Sequence, residues 1–125
     1  MLPKKYRLKS ALDFARVRSQ GRCWPSRILV VCKHPNDVGQ ARVGFSVSRR
    51  IGNAVTRNRV RRMLREVVRP LCDVLAPGWD VVVIARHGIV DLPFGAAEAA
   101  LANQLSAAQL FCISQGDGPP RGSVA

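Results

Sequence analysis

A chain of 125 residues, 47% of them hydrophobic, can bury one ordinary core, which excludes both a pair of domains and a wholly disordered tail protein. Its formal net charge is +12, from 20 Lys and Arg against 8 Asp and Glu. An excess that large on so small a domain calls for a polyanionic partner, nucleic acid before membrane surface.

Ser10, Asp13 and Gly21 bracket a short capped helix from about Ala11 to Gln20, with Phe14 and Val17 turned inward. Cys23 and Trp24 form a short edge piece before Pro25. The apolar run Ile28 to Cys32 reads as a buried strand, stopped by the turn cluster Lys33-His34-Pro35-Asn36-Asp37. From Ala41 to Ser48 the chain alternates, with Val43, Phe45 and Val47 on one face and Arg42, Gly44, Ser46 and Ser48 on the other. That small, polar face lets another molecule approach the backbone, or Gly44 marks a bulge.

Val60, Met63, Leu64, Val67, Val68 and Leu71 then recur at helical spacing, and the same wheel puts Asn58, Arg61, Arg62, Arg65 and Arg69 on the opposite side. Asn53 or Thr56 caps this helix, and Pro70 ends or kinks it. Pro77-Gly78 turns the chain into a strand from Trp79 to Ala85. After a loop comes an Ala-rich helix from about Phe94 to Phe111, with Ala97, Leu101, Leu105 and Ala108 on one face. The order α-β-β-β-α-β-α implies an α+β fold, a two-layer sandwich of a small sheet and about three helices, in a single domain 1–113 with a Gly-, Pro- and Ser-rich disordered tail 114–125.

The charge is unevenly placed. Lys4 to Arg27 holds eight basic residues against Asp13, and Arg49 to Arg69 holds eight arginines against Glu66, whereas Pro70 to Ala125 carries two arginines and five acids. Sixteen of the twenty cations are Arg, whose planar guanidinium grips phosphate through paired hydrogen bonds and stacks on bases, which suits RNA better than a lipid headgroup. The opening Met-Leu-Pro-Lys-Lys is no apolar signal segment and no stretch approaches a membrane span, so a cytoplasmic protein without a membrane partner is expected. Cys23, Cys32, Cys72 and Cys112 lie far apart, without zinc-site spacing, and read as small, mostly buried thiols. No metal site is expected of the protein.

A charged helix face is ordinarily only solvated. Such a face mixes signs, however, whereas Arg57, Arg61 and Arg65 are like charges one turn apart that repel by a few tenths of a kcal/mol each. An anion would relieve that repulsion. The segment Arg49-Arg50-Ile51-Gly52-Asn53-Ala54-Val55-Thr56-Arg57-Asn58-Arg59-Val60-Arg61-Arg62-Met63-Leu64-Arg65-Glu66 resembles the signature of the bacterial ribonuclease P protein subunit. Flanking pieces agree: Tyr6 to Lys9 before Asp13-Phe14, Arg42 to Ser48, and Gly78 to Arg86. The likeness runs from about Tyr6 to Asp91 and fades through the last helix.

The resemblance implies a subunit of a ribonucleoprotein that removes the 5′ leader of precursor tRNA, with an RNA partner performing a Mg2+-dependent hydrolysis and holding the metal. The protein is then a monomer in a 1:1 complex with that RNA. It further implies a four-stranded sheet and a left-handed β-α-β crossover through the arginine helix, against the usual right-handed rule. Arg49, Arg50, Arg57, Asn58, Arg59, Arg61, Arg62 and Arg65 would dock on the catalytic RNA, and a cleft holding Phe14, Arg18, Lys33 and Ser46 would take the single-stranded leader. Phe14 is there either a stacking ring or a core residue. Family members commonly carry further aromatics where Arg18 and Cys32 stand, so stacking is thinner in this cleft and charge heavier.

No protein residue is expected to be catalytic. His34 and His87 sit in turn contexts without a triad partner, and the acids are too scattered to gather metal ions. A ribosomal or other structural RNA-binding protein shares the charge and the fold class but needs no cleft.

Overall fold

The computed structural model describes residues 4–111. Helix α1 spans Ala11–Gln20, strand β1 Arg22–Pro25, β2 Leu29–Pro35 and β3 Arg42–Ser46, followed by α2 at Ala54–Val68, β4 at Trp79–Ala85 and α3 at Phe94–Ala107. The expected order of elements and the α+β class both hold, and the expected tail 114–125 lies outside the described residues.

The strands form one sheet in the order β1-β2-β4-β3. β1 and β4 each run antiparallel to β2, while β3 runs parallel to β4 at the other edge. Leu29, Val31, Val43, Val81 and Val83 face α2 and α3, where Val60, Leu64, Val67, Leu101 and Leu105 complete the main core. Cys32 and Val82 point the other way and pack under α1 with Leu8 and Val17. The strand period of two therefore divides the chain between two apolar clusters. Helices cover both faces of the sheet, a pair on one and α1 on the other, so the expected two layers are three, because alternate residues of β2 and β4 are apolar on both faces.

Local boundaries differ from expectation where pairing overrides propensity. β2 continues through Lys33 and His34 to Pro35 because β4 offers seven partners, ending at Pro35↔Trp79. The turn accordingly shifts to Asn36, whose side chain accepts from the Val38 N–H. α2 is capped by Asn53, which accepts from the Thr56 N–H at 3.0 Å. Pro70 does not kink it but opens a 3-10 turn over Arg69–Val74. α3 stops at Ala107, short of Phe111, because Gln109 turns left-handed (φ 57°) and Phe111 leaves to bridge Leu75.

The cysteine expectation is corrected. Cys23 is exposed, and it sits opposite Cys32 in the β1–β2 register, joined to it in a disulfide. Cys72 is the buried thiol among the described residues, and burial pushes its pKa above the ordinary value.

Candidate nucleic-acid interface

The path from β3 into α2 is fixed by two turns. Ser48 caps a 3-10 turn over Arg49–Ile51, and Gly52 follows at φ 154°, a conformation that L side chains rarely adopt. The Gly52 carbonyl then accepts from Arg57 Nη1 at 3.1 Å. Arg49 and Arg50 are thus presented, exposed, at the approach to α2.

Along α2 the apolar stripe is buried and the polar stripe open, as the periodicity requires: Val60 and Leu64 are at most 1% exposed, while Asn58, Arg59, Arg62 and Arg65 are exposed. Several guanidiniums are oriented before any ligand arrives. Arg61 Nη1 donates to Asn58 Oδ1 at 3.0 Å, which couples two residues of the expected docking set. Arg59 Nη2 donates to the Val90 carbonyl at 3.2 Å. Arg69 is partly neutralised by Glu66 at 2.9 Å. Arg57, Arg59 and Arg61 are thus positioned donors within the basic face.

The second surface lies on the sheet face that carries α1. Phe14 projects from α1, and the far end of its ring meets Gly44 of β3 so closely that a Cβ there would collide with it. The molecule that approaches the Gly44 backbone is thus the chain's own Phe14, which is half-buried on the smaller core and also lines the open groove. Gly44→Ala should displace the ring and cost about 1–3 kcal/mol in urea unfolding. An unchanged midpoint would show that Phe14 is not held there. Ser46, two residues on, shares the Gly44 face, and Arg18 stands exposed one turn after Phe14.

A polar strap holds α1 to this face. Asp80 of β4, 1% exposed, takes Arg42 Nε at 2.8 Å and Nη2 at 2.9 Å, and Asn36 Nδ2 at 2.8 Å. The same Arg42 Nη2 reaches Asp13 Oδ2 at 3.3 Å, next to Phe14 on α1. The hydrogen bonds to Asp80 raise the Arg42 pKa above its ordinary value despite desolvation. Asp13 also holds Arg16 at 2.9 Å.

Lys33 is not in this cleft. Cys32 faces α1, so its neighbour must face the other way, and Lys33 Nζ donates to the Ala108 carbonyl at 2.6 Å and lies 4.1 Å from the Trp79 ring centroid. Burial, with Arg22 nearby, lowers its pKa. Lys33 closes the end of α3 on the far side of the sheet.

The structure supplies a groove of about 350 Å³ that joins the two surfaces. Phe14, Gly44 and Phe45 line it together with Arg61 and Arg65 of α2, and Arg7 and Lys9 form a further part of its wall. Those two residues were not singled out from the sequence. Their signal was the basic run from Lys4. What places them is the pairing of Arg7 with Val43 and the hydrogen bond from the Leu8 N–H to the Val43 carbonyl, which lay the N-terminal segment along β3.

Among the described residues no three His, Cys, Asp or Glu side chains gather where they could hold a metal ion, and no helix is long and apolar enough to cross a membrane. The arrangement presents guanidiniums that suit phosphates and an aromatic ring that suits bases.

The family model described as Ribonuclease P matches residues 2–109. The ribonuclease P protein component of Roseiflexus sp. (strain RS-1) is 39% identical over 114 residues, 90% of this chain and 93% of the relative. Among solved structures, the Staphylococcus aureus RNase P protein superimposes with a TM-score of 0.77 at 32% identity, over 85% of this chain and 97% of that one. The RNase P protein from Thermotoga maritima gives 0.74 at 30% identity, over 81% and 96%. Sequence and fold agree along nearly the whole described length, and the chain belongs to the bacterial ribonuclease P protein family.

Proposed function

We propose that this chain is the protein subunit of a ribonuclease P ribonucleoprotein, docking on its RNA through the arginine face of α2 and holding the 5′ leader of precursor tRNA in the cleft beside Phe14. The observation that carries this reading is the groove in which Phe14 and Gly44 meet Arg61 and Arg65, because it joins a base-accepting surface to a phosphate-binding one. A structural RNA-binding protein would have use for the arginines but not for that continuity.

In this reading the RNA carries out the hydrolysis, and Mg2+ is held mainly by RNA phosphates. The protein contributes charge and position. Arg49, Arg50, Arg57, Arg59, Arg61, Arg62 and Arg65 reduce the repulsion between catalytic RNA and substrate, and Asn58, fixed by Arg61, stands beside that contact. Phe14, with Arg18 and Ser46 on the same side, gives precursor an advantage over mature tRNA, which lacks a leader. Because stacking accepts any base, that advantage should depend little on leader sequence.

Single-turnover cleavage of precursor tRNA by a bacterial ribonuclease P RNA, across a series of magnesium concentrations with and without the protein, tests this. At low magnesium, cleavage should require the protein, and at high magnesium the dependence should fade. Equal rates with and without the protein at low magnesium would overturn the reading.

A further inference from the structure

Cys23 and Cys32 are directly opposed across β1 and β2, on the face that carries α1. Their access differs. Cys23 is exposed on the outer strand, whereas Cys32 is 1% exposed and packed with Leu8, Val17 and Val82 beneath α1. β1 is four residues long, pairs with β2 alone and ends in Pro25, which has no N–H to donate. Gly21 is the single residue between α1 and β1, and its N–H donates to the Val17 carbonyl at 2.9 Å. Any movement of β1 is thereby passed to the last turn of α1, which is one turn from Phe14.

We infer that Cys23 and Cys32 form a reversible thiol–disulfide site that sets how firmly the Phe14 cleft grips single-stranded RNA, with low-molecular-weight thiols and their disulfides as its reagents. The inference rests on the reading of that cleft as the leader-binding surface. The bond is open to solvent on its Cys23 side, and a disulfide with one accessible sulfur can exchange with small thiols at that sulfur. A thiolate attacks Cys23 Sγ, the bond to Cys32 breaks, and Cys32 leaves with the electron pair and takes a proton. A second thiolate then attacks the incoming sulfur of the mixed disulfide, releasing the small disulfide and Cys23, which is protonated in turn. The protein gains two electrons and two protons while two small thiols become one disulfide; oxidation is the reverse.

The consequence follows from packing. Two unbonded thiols need more room than a bonded pair, and the site around Cys32 is filled. On reduction either β1 swings outward or the Val17 turn lifts, and both loosen the seat of Phe14. The oxidised protein holds the leader more tightly.

The test uses the full chain carrying Cys112→Ser, a position outside the described residues, assembled with the catalytic RNA. It is equilibrated in buffers of glutathione and glutathione disulfide, and the state of the pair is read by the mass of the unfolded, alkylated protein. The ratio of precursor to mature tRNA affinity should fall several-fold on reduction, with affinity for the catalytic RNA alone unchanged. Cys23→Ser should show the reduced ratio in every buffer. An identical ratio in both states overturns the proposal, as does a Cys23→Ser protein that still responds, or a pair that never changes state across the buffers. Phe14→Ala separates the two readings: a ratio it leaves untouched sinks the cleft assignment, whereas a ratio that falls with Phe14→Ala but not with reduction sinks the redox site alone.

Discussion

Arg42→Ala should destabilise the fold by about 3–5 kcal/mol, a large share of the 5–15 kcal/mol typical of a domain this size. The reason is the buried carboxylate left behind. Asp80 is 1% exposed and receives two hydrogen bonds from Arg42, so the truncation leaves a carboxylate on a buried strand with the Asn36 contact alone among those described. Urea unfolding measures the loss, and a thermodynamic cycle identifies its origin. If the cost is that of an unpaired charge, Arg42→Ala with Asp80→Ala should be milder than the two single losses combined. A single-variant loss below about 1 kcal/mol would mean that solvent reaches Asp80. The same change frees Asp13 from β3, so a well-folded remainder should also discriminate poorly between precursor and mature tRNA.

The largest effect on binding is expected at Arg61 and Arg65 together. Both line the groove, and each phosphate contact contributes roughly one unit to the slope of log affinity against log salt. The double alanine variant should flatten the slope for RNA by about two units. Arg69→Ala supplies the comparison. Arg69 is exposed at the helix end and paired with Glu66, so its loss should change the slope much less. A slope insensitive to Arg61 and Arg65 would reduce the stripe to a solvated face.

Much of this surface was legible in the residues themselves, because amphipathic periods and caps are local. The alternation at Val43 and Phe45 fixed which face of β3 is small and polar. The spacing of Val60, Leu64, Val67 and Val68 fixed which face of α2 is basic, and all four are buried. Phe14 and Gly44 each carried two readings, and only their contact joined them.

What escaped the sequence depends on register between distant segments. Arg42 and Asp80 are 38 residues apart and meet only because β3 pairs with β4. Arg7 and Lys9 showed as charge, but no local pattern lays them along β3. The Cys23–Cys32 pair follows from the register of the β1–β2 hairpin, which cysteine spacing alone does not reveal. Lys33 is the instructive error. A strand places consecutive residues on opposite faces, so a cleft that includes position 32 cannot also include position 33. Treating Lys33 as the first residue of a turn concealed that conflict.

β4 is the last strand made and sits between β2 and β3 in the finished sheet. During synthesis the basic N-terminal segment, β3 and the arginine helix therefore leave the ribosome ahead of the strand that unites them. Until Ala85 has emerged, β2 and β3 both offer unpaired backbone to other chains, and the apolar stripe of α2 lacks β4 to pack against. The cell thus handles a nascent chain that is at once sticky and strongly cationic, and an RNA that reaches the arginine helix early would meet it before the cleft has been built.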